Sequence, residues 1–174
     1  SEASATAAAE FLDADNVDLK SMRDDFYRKV CKARLQPVLD TITRLKQKGV
    51  WVEVTTLVIP GHNDSEAELT EIANFIKGVS PAIPWHVTAF HPTFKMMDRP
   101  ATPVATLRRA REIGLAAGLR YVYVGNIPGE GGENTYCYAC QELLIERVGY
   151  TIRRYHLKDG RCPKCQAEID GVWK

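Results

Sequence analysis

Val50-Trp51-Val52-Glu53-Val54-Thr55-Thr56-Leu57-Val58-Ile59 runs straight into Pro60-Gly61. β-Branched residues recur throughout these positions, the near-continuous pattern of a strand buried on both faces, and Pro-Gly ends it. Upstream, Leu35, Val38, Leu39, Ile42 and Leu45 share one helical face, with Pro37 in the first turn and Gly49 as the stop. Downstream, Ser65 and Glu68 form a capping box ahead of Leu69, Ile72, Ala73 and Ile76. The grammar then repeats: Trp85 to Phe90 reads as a strand, a long loop runs to Pro100, Thr102-Pro103 opens a helix stopped by Gly118, and Leu119 to Val124 is a strand. Before all of these, Ser1 to Leu12 reads as an Ala-rich surface helix, Asn16-Val17-Asp18-Leu19-Lys20 alternates as a strand, and Ser21 to Ala33 reads as a helix.

Strands alternating with helices imply parallel pairing through right-handed crossovers, so the fold class is α/β. Four strands suffice for a small open doubly wound sheet, or for about half of a closed barrel, which needs eight units over ~250 residues. Each strand end carries polar or Gly-rich sequence. Asp18 and Lys20, two apart on a strand, project to one face where a covered sheet wants apolar residues, and a mutually satisfied ion pair is the plain alternative to a functional role. His86 and His91 flank Val87 to Phe90, and Pro92 turns the chain out after His91 at the carboxyl end, where parallel sheets bind small molecules. Pro60-Gly61-His62-Asn63-Asp64 follows the second strand, and Gly125 to Asn134, with four glycines and a proline in ten residues, follows the fourth as a linker or a loop approaching a ligand.

The chain has 174 residues, 45% of them apolar and 26% charged, with 23 Lys+Arg against 22 Asp+Glu. That balance argues against nucleic acid as the main partner. No run of ~18 apolar residues is present, so no membrane-spanning helix is expected. The opening Ser1 to Ala9 stretch lacks the basic and apolar regions of a secretory signal.

Five cysteines are the most specific feature. Cys31 stands alone inside a helical stretch, most simply as a small buried residue. The other four form Cys137-Tyr-Ala-Cys140 and Cys162-Pro-Lys-Cys165, separated by 21 residues in which Leu143 to Leu157 suits two short strands with a turn near Gly149. Paired spacing favours metal over disulfides and hence a reducing, cytoplasmic compartment. Four converging thiolates suit a structural Zn²⁺, since a catalytic zinc keeps an open position; two disulfides, a rubredoxin-like iron and an iron–sulfur cluster are the competing readings. Gln141 and Gln166 stand where such knuckles usually carry glycine. Two units are expected: residues 1–134, the α/β part, and residues 135–174, a zinc-ribbon-like module.

Asn16-Val-Asp-Leu-Lys20, Trp51 to Asp64, Trp85-His-Val-Thr-Ala-Phe-His-Pro92 and Tyr121 to Gly129 resemble successive blocks of the radical S-adenosylmethionine (SAM) enzymes. The likeness is to the branch related to pyruvate formate-lyase activating enzyme, and most of all to the AmmeMemoRadiSam-system radical SAM enzyme, over Asp13 to Trp173. It implies a partial (βα)₆ barrel with SAM across the carboxyl ends of its strands, bound to a [4Fe–4S] cluster held by a Cys-x-x-x-Cys-x-x-Cys motif. It further implies that Asp18, Lys20 and His91 contact SAM and that Thr55 and Thr56 line the site, with Thr56 counted among the cofactor-binding residues. A carboxylate, an ammonium and an imidazole are apt partners for a zwitterionic methionine and ribose hydroxyls. The cluster motif, the family's first strands and its Gly-Gly-Glu motif are not in these 174 residues. The chain is therefore expected to be the C-terminal part of a radical SAM enzyme, as a truncation or a split subunit, inactive alone, with the missing half or a partner chain carrying the cluster. Its parent would cleave SAM to a 5′-deoxyadenosyl radical that abstracts hydrogen from a protein or small-molecule substrate, with the zinc module organising the carboxyl end or the substrate entrance. The readings from other classes are a zinc-stabilised binding module without catalysis, and a phosphate-binding barrel enzyme using the Gly61 and Gly125 loops.

Overall fold

The computed structural model describes residues 2–127, 129 and 131–173. Four strands, β1 (Ala14–Asp18), β2 (Trp51–Val58), β3 (Trp85–Ala89) and β4 (Val122–Gly125), pair in parallel in the order β1-β2-β3-β4. The chain enters through α1 (Glu2–Ala9), and the connections carry α3 (Leu35–Gln47), α4 (Glu66–Val79) and α5 (Val104–Ala117). A sequential order with crossovers of one hand stacks α3, α4 and α5 on the same face, so the sheet is singly wound, and the doubly wound alternative is set aside.

The helix-covered face is the core. Val52, Val54, Val58, Trp85, Val87, Val122 and Val124 pack against Ile42 and Leu45 of α3, Leu69, Ile72 and Ile76 of α4, and Leu107 and Ala110 of α5, all buried. Gly114 of α5 lets the helix lie on Trp85, since a Cβ there would stand 2.8 Å from the indole. The other face is only half covered. Trp51, Glu53, Thr55 and Leu57 are all intermediate in exposure, so β2 alternates and is not buried on both faces as its composition predicts. β-Branched Thr55 and the apolar Trp51 and Leu57 disguise that alternation in the sequence.

Other boundaries shift for local reasons. β1 starts and ends two residues early, because pairing to β2 runs from Ala14 opposite Trp51 to Asp18 opposite Thr55, which leaves Lys20 just beyond the strand. The stretch expected as a helix from Ser21 to Ala33 is a short helix, α2 (Asp24–Phe26), that widens into a π-helical turn (Tyr27–Cys31) closed by Lys32 at φ 56°. Consecutive Phe26 and Tyr27 are both buried there, against Ile59 and Phe90. The fourth strand begins at Val122 instead of Leu119. Ser65 caps α4 by accepting from the Glu68 amide at 3.2 Å, but the Glu68 carboxylate completes no box: it turns to Ser21 and Met22.

The rest of the chain forms a three-stranded antiparallel sheet, β5 (Thr135–Tyr136), β6 (Leu143–Val148) and β7 (Thr151–Tyr155), with the expected turn at Gly149. Its buried side chains, Leu144, Ile145, Leu157 and Ile169, cluster with Tyr121, the residue just before β4. Asp170 accepts from Arg120 at 2.7 Å and from the Tyr121 hydroxyl at 3.0 Å. The cysteine-bearing module is thus tied to the residues just before β4, and its first strand lies beside β4, where the Tyr123 and Thr135 hydroxyls are 3.0 Å apart. No described helix is long and apolar enough to cross a membrane.

Candidate functional site

At the carboxyl end of β1 the Leu19 amide still donates to Thr55, after which the chain leaves the sheet. Two side chains from the β2–α4 segment clamp the residues from Lys20 to Arg23. Asn63, fully buried, donates to the Lys20 carbonyl at 2.6 Å and to the Leu57 carbonyl at 2.9 Å, and accepts from the Ile59 amide at 2.6 Å. Glu68, also buried, accepts from the Ser21 hydroxyl at 2.5 Å and the Met22 amide at 2.6 Å and pairs with Arg23 at 3.0 Å. The Lys20 amide donates to the buried Tyr27 hydroxyl at 3.0 Å. Lys20 therefore stands on a fixed backbone while its ammonium reaches solvent and pairs with Asp18 at 3.0 Å, the side chains 34% and 57% exposed.

Cys31, on the π-helical turn, is half-buried and within electrostatic reach of both Lys20 and Asp18; burial pushes its thiol up. It is thus a neighbour of the Asp18–Lys20 pair, a placement that its position in a helical stretch did not reveal. His91 lies two residues past β3, exposed, with Nε2 3.1 Å from the Asn126 carbonyl. Asn126, at φ 61°, donates its carboxamide to the Ala89 carbonyl and so ties the β4 loop to the end of β3. His91 and the Asp18–Lys20 pair share the carboxyl end of the sheet but make no contact among the described residues. β2 separates them, a gap of about 10 Å across two strand spacings.

Thr56 stands apart from these three. It is fully buried on the helix-covered face, donates to the Leu19 carbonyl at 2.7 Å and accepts from Trp85 Nε1 at 2.9 Å, so its hydroxyl is committed to the core. Side chains alternate along a strand, and Thr55 is the one that faces the open side, bonded to Asn16 at 2.8 Å. Asn63 and Glu68 are the residues that sequence reading missed in this role.

The four paired cysteines converge. Their sulfurs all lie within 4.8 Å of one another, with Cys137–Cys165 at 3.6 Å and Cys140–Cys162 at 3.7 Å. A tetrahedron of thiolates at ~2.3 Å from a central ion has edges of about 3.8 Å, so the donor set fits one metal ion. The two knuckles repeat the same backbone bonds: the Gln141 amide to the Cys137 carbonyl and Cys137 amide to the Glu142 carbonyl, then Gln166 to Cys162 and Cys162 to Ala167. Gln141 and Gln166 adopt φ 60° and 61°, so they fill the glycine positions in glycine's own conformation. Burial pushes the Cys162 thiol up, yet the Cys165 and Lys164 amides donating to its sulfur and the neighbouring thiols hold it at about 7. For Cys140 the Glu142 amide lowers the value, but burial and the other three thiols outweigh it and push it up to about 12. Four thiols this close cannot all ionise without a cation among them.

No family model matches the chain. It is 45% identical over 164 residues to the uncharacterized protein MJ0808 of Methanocaldococcus jannaschii, a match covering 92% of this chain and 49% of that protein. The chain thus spans about half the length of the curated relative it matches. Among solved structures it is similar to a domain of pyruvate-formate lyase-activating enzyme from Bacteroides vulgatus, with a TM-score of 0.62 and 15% identity over 72% of this chain and 75% of that one. The α/β fold with its parallel four-stranded sheet is the fold of that domain.

Proposed function

We propose that this chain is the C-terminal part of a radical SAM enzyme, contributing SAM contacts at the carboxyl end of a partial barrel, with a structural Zn²⁺ in its four-cysteine module. One observation carries the reading: a charged pair, Asp18 and Lys20, on a rigidly clamped loop at the carboxyl edge of a sheet whose fold is that of a pyruvate-formate lyase-activating enzyme domain. In the bound state Lys20 would meet the methionine carboxylate, Asp18 its ammonium or the ribose hydroxyls, and His91 the far side of the molecule. SAM and its cluster supply reductive cleavage in the intact enzyme. This chain does not fit the cluster itself: outside the paired set it holds only Cys31, so the cluster ligands belong to a further segment or a partner chain.

The four-cysteine site supports a single ion over a four-iron cluster, because a cluster places each thiolate on a separate iron and spreads the sulfurs wider than 4.8 Å. The module's attachment to Arg120, Tyr121 and Tyr123 supports a structural role, covering part of the open sheet face beside β4. The test is SAM binding to the longer protein that contains this sequence, after anaerobic reconstitution with iron and sulfide. Binding that Lys20→Ala and His91→Ala each weaken, while zinc content stays at one equivalent, supports the reading. SAM binding untouched by either substitution contradicts it, and a chain that binds zinc but never SAM belongs to the binding-module class.

A further inference from the structure

Between the open face of β2–β4 and the cysteine-bearing module lies a cleft of about 740 Å³. It runs from Ala14, Trp51 and Pro84 at the N-terminal ends of the strands as far as Gly125 at the end of β4, and neither Lys20 nor His91 lines it. Its walls include the indoles of Trp51 and Trp173, and its floor is a His86 imidazole stacked on Tyr123, ring centroids 5.2 Å apart. Into this aromatic setting the sheet places a half-buried carboxylate. Glu53 accepts from Trp51 Nε1 at 3.0 Å on one oxygen and meets His86 Nε2 at 2.7 Å on the other. Across the cleft Arg147, fixed by donation to the Glu133 carbonyl and the Thr135 hydroxyl, adds positive charge that Glu53 feels.

The hydrogen bonding fixes what this pair offers a guest. A carboxylate can only accept, so in the neutral imidazole Nε2 carries the proton and Nδ1 keeps a lone pair. Among the described residues Nδ1 has no partner. We propose that the cleft is a second binding site, lined by none of Asp18, Lys20 and His91, that takes a planar aromatic ring bearing an N–H or O–H donor, with the indoles holding the ring and His86 Nδ1 accepting the donor. Aromatic walls with a few convergent polar groups, between two packed units, are the ordinary make-up of a small-molecule site.

The probes are indole and benzofuran, rings of one shape of which only indole carries a donor, measured by saturation-transfer NMR and equilibrium dialysis on this chain. Indole should bind about five- to tenfold tighter than benzofuran, the worth of one hydrogen bond. Glu53→Gln makes a sharper demand. Trp51 Nε1 can only donate, so it holds the amide oxygen of the new side chain and turns the amide nitrogen toward His86 Nε2. The imidazole then switches tautomer, Nδ1 becomes a donor, and the preference for indole should vanish or invert. His86→Phe, which keeps the stack, should also abolish it. Zinc content and the far-ultraviolet spectrum check that each variant is folded. Absence of saturable binding to the unsubstituted chain, equal binding of the two rings, or an indole preference that survives His86→Phe would overturn the proposal and leave the SAM reading untouched, since that reading rests on Asp18, Lys20 and His91, none of which lines the cleft.

Discussion

Asn63 decides where Lys20 stands, although Lys20 is the residue with the chemistry. Its carboxamide makes three backbone bonds in a fully buried position, so Asn63→Ala strands three polar groups and should cost about 2–4 kcal/mol, read as a shift of the urea midpoint. Lys20→Ala should behave in the opposite way. Its pair with Asp18 is too exposed to add more than ~1 kcal/mol to stability. In the intact protein, however, the loss of a charge-assisted bond should weaken SAM binding by ~1.5–3 kcal/mol. A stability loss with SAM binding unchanged would mean that the pair serves the fold alone. Glu53 gives a pH test: the His86 hydrogen bond holds its carboxyl below the ordinary 4.5, against the effect of burial. Its contribution is therefore complete above pH 4.5 and lost as pH falls through the depressed value, so Glu53→Gln should flatten the acid limb of the melting temperature in that window. Asp18 and Lys20 stand out in the sequence as a pair because charge on a strand conflicts with burial, and His91 because Pro92 turns the chain out after it. Asn63 and Glu68 do not, since their partners lie 43 to 47 residues away in sequence and polar residues in a loop announce nothing.

Among the elements, the two cysteine knuckles are the most legible and the most sharply testable. Their spacing forecast convergence, and the hairpin of β6 and β7 brings it about. Changing Cys162 to Ser should unfold the module, whose small core makes the metal's binding energy its folding energy, and metal analysis should fall from one equivalent. Gln166→Gly should do the reverse: at φ 61° a side chain carries strain, so glycine there should stabilise by up to ~1 kcal/mol, seen as slower loss of metal to a chelator. On α5 the usual helix preference should fail. Gly114→Ala gains helix propensity yet puts a methyl 2.8 Å from Trp85 and 2.9 Å from Val122, so it should lower the melting temperature. The helices α3, α4 and α5 were readable from apolar periodicity and their caps. The π-helical turn at Tyr27–Cys31 was not, because its width answers to the burial of both Phe26 and Tyr27, a demand of the tertiary structure.

At the scale of the molecule, the sequential strand order and the half-covered face are what a barrel arc requires, and the two sheet edges differ. The β4 edge is closed, with Arg111 donating to the Val122 carbonyl and the Val124 amide donating to Gly132. At β1, Leu19 bonds inward to β2, so alternation directs the Asn16 and Asp18 amides outward, and α1 lies on α3 instead of over that edge. These amides should exchange rapidly in this chain and be protected in the longer protein if further strands continue the barrel at β1, as the proposed function requires; equal exchange in both would place those strands elsewhere. The measurement that bears most directly on the proposed function is reductive cleavage of SAM by that longer protein, reconstituted with iron and sulfide under a strong reductant and assayed for 5′-deoxyadenosine. Turnover that depends on the reconstituted iron and falls at least tenfold with Lys20→Ala is the predicted result, tenfold being ~1.4 kcal/mol of lost binding. A fully loaded, folded protein that forms no 5′-deoxyadenosine, or forms it equally well without Lys20, would contradict the assignment.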